Sequence, residues 1–216
     1  MSTSSYGVVG KVHGMDEDEE LALSRKPRLP WIWWIVALLL AFALYQFSSA
    51  GWIYAKANIA QHLIARSWEN AKSAGVANRP WPWADTRAVA RLSVPSRGVD
   101  LYVLDGTTNR SLAFGPGHVS GTARPGTAGN SVILAHRDTH FAFLRHLELD
   151  EEIDVETPTG GIARYRVREV VIVDKGETRV LDAADSAQLT LITCYPFDAV
   201  APGTDLRYVV VADRVA

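Results

Sequence analysis

Between Leu29 and Ala55 the chain runs for 27 residues without one charged side chain. About 20 apolar residues let a helix cross a bilayer with every backbone group bonded internally. The centre of the run, Trp31 to Phe47, is almost wholly apolar, so a transmembrane helix is predicted over residues 31–54. Trp31, Trp33 and Trp34 at one end, and Tyr45, Trp52 and Tyr54 at the other, read as interfacial belts. Arg25, Lys26 and Arg28 flank the N-terminal side, and positive flanks stay in the cytoplasm. Everything beyond the span is therefore expected outside the cytoplasm. A cleaved signal peptide is the rival, with Ser48 and Ala50 as a small-x-small site. The long polar flank before the span and the length of the apolar run favour an uncleaved anchor.

Composition narrows the classes further. Lys and Arg number 22 against 24 Asp and Glu, a net charge of −2, which argues against a nucleic-acid partner. A single cysteine excludes an intramolecular disulfide and a cysteine-based zinc cluster. Apolar residues at 48% and charged residues at 21% suit a globular domain rather than wholesale disorder.

The remaining sequence divides in three. Residues 1–30 are a polar tail with five acidic and four basic residues, so not a polybasic lipid-binding arm. Residues 55–80 begin Ala-rich, with Ile59, Leu63, Ile64 and Trp68 at helical spacing, which reads as a stalk ended by Gly75. Asn78 to Trp83 is too proline-rich for helix or central strand and reads as a linker, pinned by Trp81 and Trp83 to the C-terminal domain. The third part, residues 81–216, changes to short β-like runs: Ala88–Val94, Val99–Leu104, Ser131–Ala135, Ile153–Glu156, Ala163–Val173, Gln188–Cys194 and Arg207–Val215. Most alternate apolar with polar and are rich in Val, Ile, Thr and Tyr. Long helical patterns are absent between them, which predicts a mainly β fold, a closed barrel or sandwich of seven or eight strands.

Three chemically able residues fall at strand ends. Cys194 closes the run from Gln188, because Pro196 cannot donate to a ladder. Taken alone, a free cysteine is most often a small buried hydrophobe. An exported thiol is nevertheless a liability unless it is used. A chain turning back over the next 12 residues would bring Arg207 beside it. Arg207 shares its strand face with Val209 and Val211, and a fixed positive charge near a thiol favours the reactive thiolate. His136 closes a third run and opens Arg137-Asp138-Thr139-His140. Thiol, imidazole and guanidinium are the minimum kit for acyl transfer through a thioester.

Thr190-Leu191-Ile192-Thr193-Cys194 resembles the TLxTC signature of sortases, the membrane-anchored cysteine transpeptidases. Ala135-His136-Arg137-Asp138-Thr139 is similar to the sortase histidine segment, and Leu206-Arg207-Tyr208 to the arginine 13 positions after the cysteine. Gly115 to His118, Gly121-Thr122, Pro125-Gly126 and Gly129-Asn130 are typical of the stretch before the histidine. The block Trp81 to Asp85 is similar to the proteobacterial, Gram-negative class. The resemblance implies a closed eight-stranded sortase-type barrel with short helices behind the transmembrane helix. It also implies a single-pass protein of the inner membrane whose catalytic domain is periplasmic or extracytoplasmic. Cys194 would attack a threonine carbonyl in an LPxTG-like sorting signal of a cognate surface protein. His136 would carry the proton, Arg207 would hold the oxyanion, and an amine acceptor or water would release the product. Thr193 would contribute a backbone or hydroxyl contact to substrate. No cofactor and no metal is implied.

Other readings stay open at this stage. An L,D-transpeptidase-like enzyme would need a Ser-His-Gly-Cys block, which Ile192-Thr193-Cys194 is not. A membrane-tethered β-domain that only binds a partner would leave Cys194 buried and inert. His136, Asp138 and His140 lack the Glu beside the first histidine that a helical zinc motif carries. The acidic stretch Glu148 to Asp154 reads as a solvated hairpin before a calcium site. His118 reads as a structural residue of a Gly-rich turn.

Overall fold

Proline suits a helix only in its first turn, and α1 (Pro30–Ala74) begins on one. It ends where Gly75 adopts a left-handed φ of 71°, its N–H donating to Ala71 O at 2.7 Å. The computed structural model describes residues 30–75, 78–200 and 203–215, with the side chains of 30 and 47–57 excepted. The tail read over residues 1–30 thus lies outside the described residues but for Pro30. Among the described residues no helix is long and apolar enough to cross a membrane. The span read over 31–54 runs into residues 47–54, whose side chains are not described. From Trp31 to Leu44 the large apolar side chains, Trp33, Trp34, Leu38 and Phe42 among them, are exposed. Two compact units divide between Trp52 and Ile53.

Within the second unit, α1 buries one stripe. Ala60, Ile64, Trp68 and Ala71 are buried at helical spacing, and Ile64 and Trp68 pack with Ala88 and Leu104 of the barrel. Trp68 lies 6.2 Å from the Tyr102 ring, and Lys72 reaches Glu156 at 3.0 Å. In the linker, Trp81 meets Phe114 edge-on at 5.6 Å. Trp83 is 81% exposed, so only one of the two linker tryptophans pins the chain.

Eight strands close the barrel: β1 (Ala88–Val94), β2 (Val99–Asp105), β3 (Gly117–His118), β4 (Asn130–Leu134), β5 (Glu152–Glu156), β6 (Ile162–Asp174), β7 (Gln188–Tyr195) and β8 (Leu206–Arg214). Their order is β1-β2-β3-β4-β7-β8-β6-β5. Only β2–β3 and β4–β7 pair in parallel. Alternation decides which side chains enter. Ala163, Tyr165 and Val167 of β6 are buried while Arg164, Arg166 and Arg168 face out. The interior collects Leu92, Val103, Ile133, Phe141, Leu144, Ile153, Leu189, Leu191 and Val210.

Strand β3 has no counterpart among the runs read from sequence. It is two residues long, too short for any alternation to register. Gly117 permits it, because a Cβ there would lie 2.3 Å from Gly106 O. The short α2 (Asn109–Leu112) is capped by Thr108, whose Oγ1 accepts from Ser111 N at 3.1 Å.

Candidate active site

The barrel register aligns three strand ends. In the antiparallel β7–β8 ladder Cys194 stands directly opposite Arg207. In the parallel β4–β7 ladder Leu134 stands opposite Ile192, and Ala135 N continues it by donating to Ile192 O at 3.3 Å. His136 follows two residues after Leu134, just beyond the end of β4, as Cys194 follows two residues after Ile192. Cysteine and arginine are thus paired at one barrel edge, and histidine follows the end of the strand beside them. The opposite edge carries Asn130, Gln188 and Arg214, the far ends of the same strands.

Alternation also fixes the face that Cys194 and Arg207 share. Counting back by twos from Cys194, and forward by twos from Arg207, gives Ile192 and Thr190, Val209 and Val211. Val132, Ile192, Val209 and Val211 form a second apolar cluster on the outer face of the barrel, flanked by Leu134, Val171, Val173 and Val180. A cavity of about 450 Å³ lies over the part of this strip away from Cys194, lined by Asn130, Gln188, Thr190, Val209, Val211, Val171, Val173 and Val180. A cavity of about 900 Å³ sits at the opposite edge, beside Arg87, His118, Arg124 and Arg214, away from the thiol.

The segment before β7 closes over the strip because Asn130 holds it. Buried Asn130 donates from Nδ2 to Val180 O (3.1 Å) and Asp182 O (3.0 Å), and its Oδ1 accepts from Thr190 at 2.7 Å. These bonds satisfy a buried amide and set one wall of the groove.

Exposure differs among the three residues. His136 is exposed, while Cys194 and Arg207 are half-buried. Arg207 Nη1 donates to Thr204 O (2.6 Å) and Leu206 O (2.9 Å). Its Nε and Nη2 have no hydrogen-bond partner among the described residues, which leaves one side of the fork for an incoming acceptor. His140 is held below the ordinary imidazole value, by burial first and by the charge of His136 second.

Thr193 turns its hydroxyl away from the face that carries Cys194. It is buried on the inner face, and its hydroxyl donates to Ala135 O at 2.8 Å. A residue adjacent to an outward-facing cysteine must face inward, so period two already carried the signal. Its place is to tie β7 to the segment leading into His136. His118 is buried, with Nε2 2.9 Å from Ala123 O and 3.1 Å from Thr122 Oγ1, as a structural turn residue. Of the acidic stretch, Glu151 is engaged by Arg97 and Ser96, and Asp154 by Arg164. Arg137, passed over in the sequence, is a buried guanidinium beside His136.

Comparison with known proteins gives the family. Residues 92–215 match the family model described as the sortase domain. Sortase D of Bacillus subtilis is 30% identical over 125 residues, covering 57% of this chain and 62% of its own. Sortase A from Corynebacterium diphtheriae has a similar structure, with a TM-score of 0.56 and 30% identity over 62% of this chain and 63% of that one. A Clostridium perfringens Sortase D5 shares the fold, with a TM-score of 0.60 at 23% identity, over 74% of this chain and 99% of that one. The chain therefore spans less than two thirds of the length of the first two. The family match extends over more than half of the chain and contains His136, Cys194 and Arg207: the chain belongs to the sortase family.

Proposed function

We propose that this protein is a cysteine transpeptidase that cleaves an LPxTG-like C-terminal sorting signal of a cognate surface protein. The reading is carried by the Cys194–Arg207 register pair at the end of an outer apolar strip, with His136 just beyond the end of the neighbouring strand β4. The strip takes the apolar part of the signal, while the free side of the Arg207 fork faces the scissile carbonyl. The Cys194 thiolate attacks the threonine carbonyl carbon, and Arg207 donates to the oxyanion that forms. Collapse breaks the C–N bond as His136 gives its proton to the departing amine. A thioester remains. An amine acceptor, or water, then loses a proton to His136 and attacks the thioester carbonyl, and the thiolate leaves.

The reading extends to location. The exposed apolar side chains from Trp31 to Leu44 support a single-pass anchor over residues 31–54 in the inner membrane. The N-terminus then lies in the cytoplasm and the barrel outside it. The Trp81 to Asp85 block supports placement with the proteobacterial, Gram-negative class.

The test is direct. Incubating residues 53–216 with an LPxTG peptide and no added amine should accumulate a covalent acyl adduct on Cys194, seen by mass spectrometry. Absence of any adduct, with the peptide left whole, would overturn the reading.

A further inference from the structure

A guanidinium does not shed its charge, so burying one demands that its donors be answered. Arg137 keeps only 4% of its surface. Its Nη1 donates to Pro196 O at 2.9 Å and approaches Thr204 Oγ1 at 3.4 Å, and its Nη2 donates to Ala199 O at 2.6 Å. Its Nε lies 3.4 Å from Asp138 Oδ1. Apart from Asp138, these acceptors belong to the connection between β7 and β8, the stretch that separates Cys194 from Arg207. Thr204 is the meeting point. Its hydroxyl faces Arg137 while its carbonyl accepts from Arg207 Nη1 at 2.6 Å.

We propose that Arg137 is a positioning residue for Arg207, acting through the β7–β8 connection and Thr204. The inference rests on the transpeptidase reading above. Arg137 follows His136 directly, so its side chain fixes the His136 backbone to the connection that carries Thr204. Arg207 in turn is aimed by the Thr204 carbonyl. Without the buried fork, the carbonyls of Pro196 and Ala199 turn to water, the connection opens, and the aim of Arg207 is lost. The bonds described for Arg137 go to Asp138 and the connection, and none goes to the thiol. Its effect should therefore vanish when Arg207 is already disabled.

The experiment is a double-mutant cycle in the full chain, with Arg137→Lys and Arg137→Ala made alone and beside Arg207→Lys. An LPxTG peptide with a free amine acceptor is the probe. Arg137→Lys should lower kcat by about tenfold to a hundredfold, the scale of a misplaced catalytic group, with KM nearly unchanged. In the Arg207→Lys background the same change should cost less than about threefold. Amide exchange from Phe197 to Ala199 should quicken in Arg137→Lys, while β4 and the centre of β8 stay protected. Equal losses in both backgrounds, or unchanged exchange in the connection, would overturn the proposal. Should Arg137→Ala fail to fold, Arg137→Lys carries the test, since it keeps the charge and loses the fork. If the wild-type chain turns over no peptide, the transpeptidase reading fails, and the exchange comparison still decides whether Arg137 holds the connection.

Discussion

At Cys194 the last outward-facing position of a strand coincides with its sole thiol, and at Arg207 the first outward-facing position of the next strand supplies a fixed charge. If Arg207 merely balanced charge, Arg207→Lys would lower activity slightly. A planar fork with two unpaired donor nitrogens asks more than a point charge on a flexible stem can give. Loss of an oxyanion donor costs about 10²–10³ in rate, so kcat/KM should fall by that order with the fold intact. Retention of more than about a third of wild-type activity would exclude Arg207 as the oxyanion donor. His140 supplies a second check, through stability. Its folded value lies below the ordinary 6.5, so the unfolded chain takes up its proton first as pH falls. The contribution of neutral His140 is complete above about 6.5 and declines as pH drops through that value toward the folded one. His140→Gln should therefore narrow the difference in Tm between about pH 7.5 and pH 5.5, read by calorimetry. A wild-type Tm no more pH-sensitive than that of the variant would sink the assignment. The strand-end placement of Cys194 and Arg207 was legible in the sequence because strand ends are marked by proline and turn residues. The anchoring of Arg137 was not, because two carbonyls and a hydroxyl of a connection 59 to 67 residues away receive its guanidinium.

Among the elements, seven of the eight strands were legible because alternation and β-branched residues mark half-buried ladders. β3 was not, since two residues hold no period. The outer apolar strip was half legible. Arg207, Val209 and Val211 gave its face, but its cover by the Val180 segment depends on Asn130, whose partners lie 50 and 52 residues away. Asn130→Ala leaves the carbonyls of Val180 and Asp182 and the Thr190 hydroxyl without their partner. Stability should fall by about 1–3 kcal/mol, with a raised KM for the peptide as the groove wall loosens. A stability loss without any change in KM would mean that this wall does not bind substrate. In the β5 region, Glu151 is held at about 2, chiefly by its bond to Arg97. A carboxylate lowered in the fold stabilises above its ordinary 4.5, and that stability is lost as pH falls toward about 2. Glu151→Gln should flatten the acid limb of the stability curve over that window, and an acid limb unchanged in the variant would refute it.

For the molecule as a whole, the decisive boundary is where the barrel stops needing α1. Composition suggests a stalk ending at Gly75 and a domain starting near Trp81, because the linker prolines interrupt every periodic signal. Periodicity shows that Ile64 and Trp68 share a helix face but not what that face meets. The packing shows it: both are fully buried against Ala88 and Leu104, with Tyr102 and Phe114 alongside. A chain beginning at Ile53 keeps this layer, and one beginning at Trp81 strips it. Removing a buried tryptophan alone costs about 3–5 kcal/mol, a large share of the 5–15 kcal/mol that holds an ordinary domain together. Residues 53–216 should therefore fold cooperatively. Residues 81–216 should melt about 10–20 °C lower. Trp68→Ala within residues 53–216 should reproduce most of that loss, which separates packing from any effect of chain length. Calorimetry on the three proteins decides the matter, and a shorter chain melting within about 3 °C of the longer one would show that α1 adds nothing to the barrel.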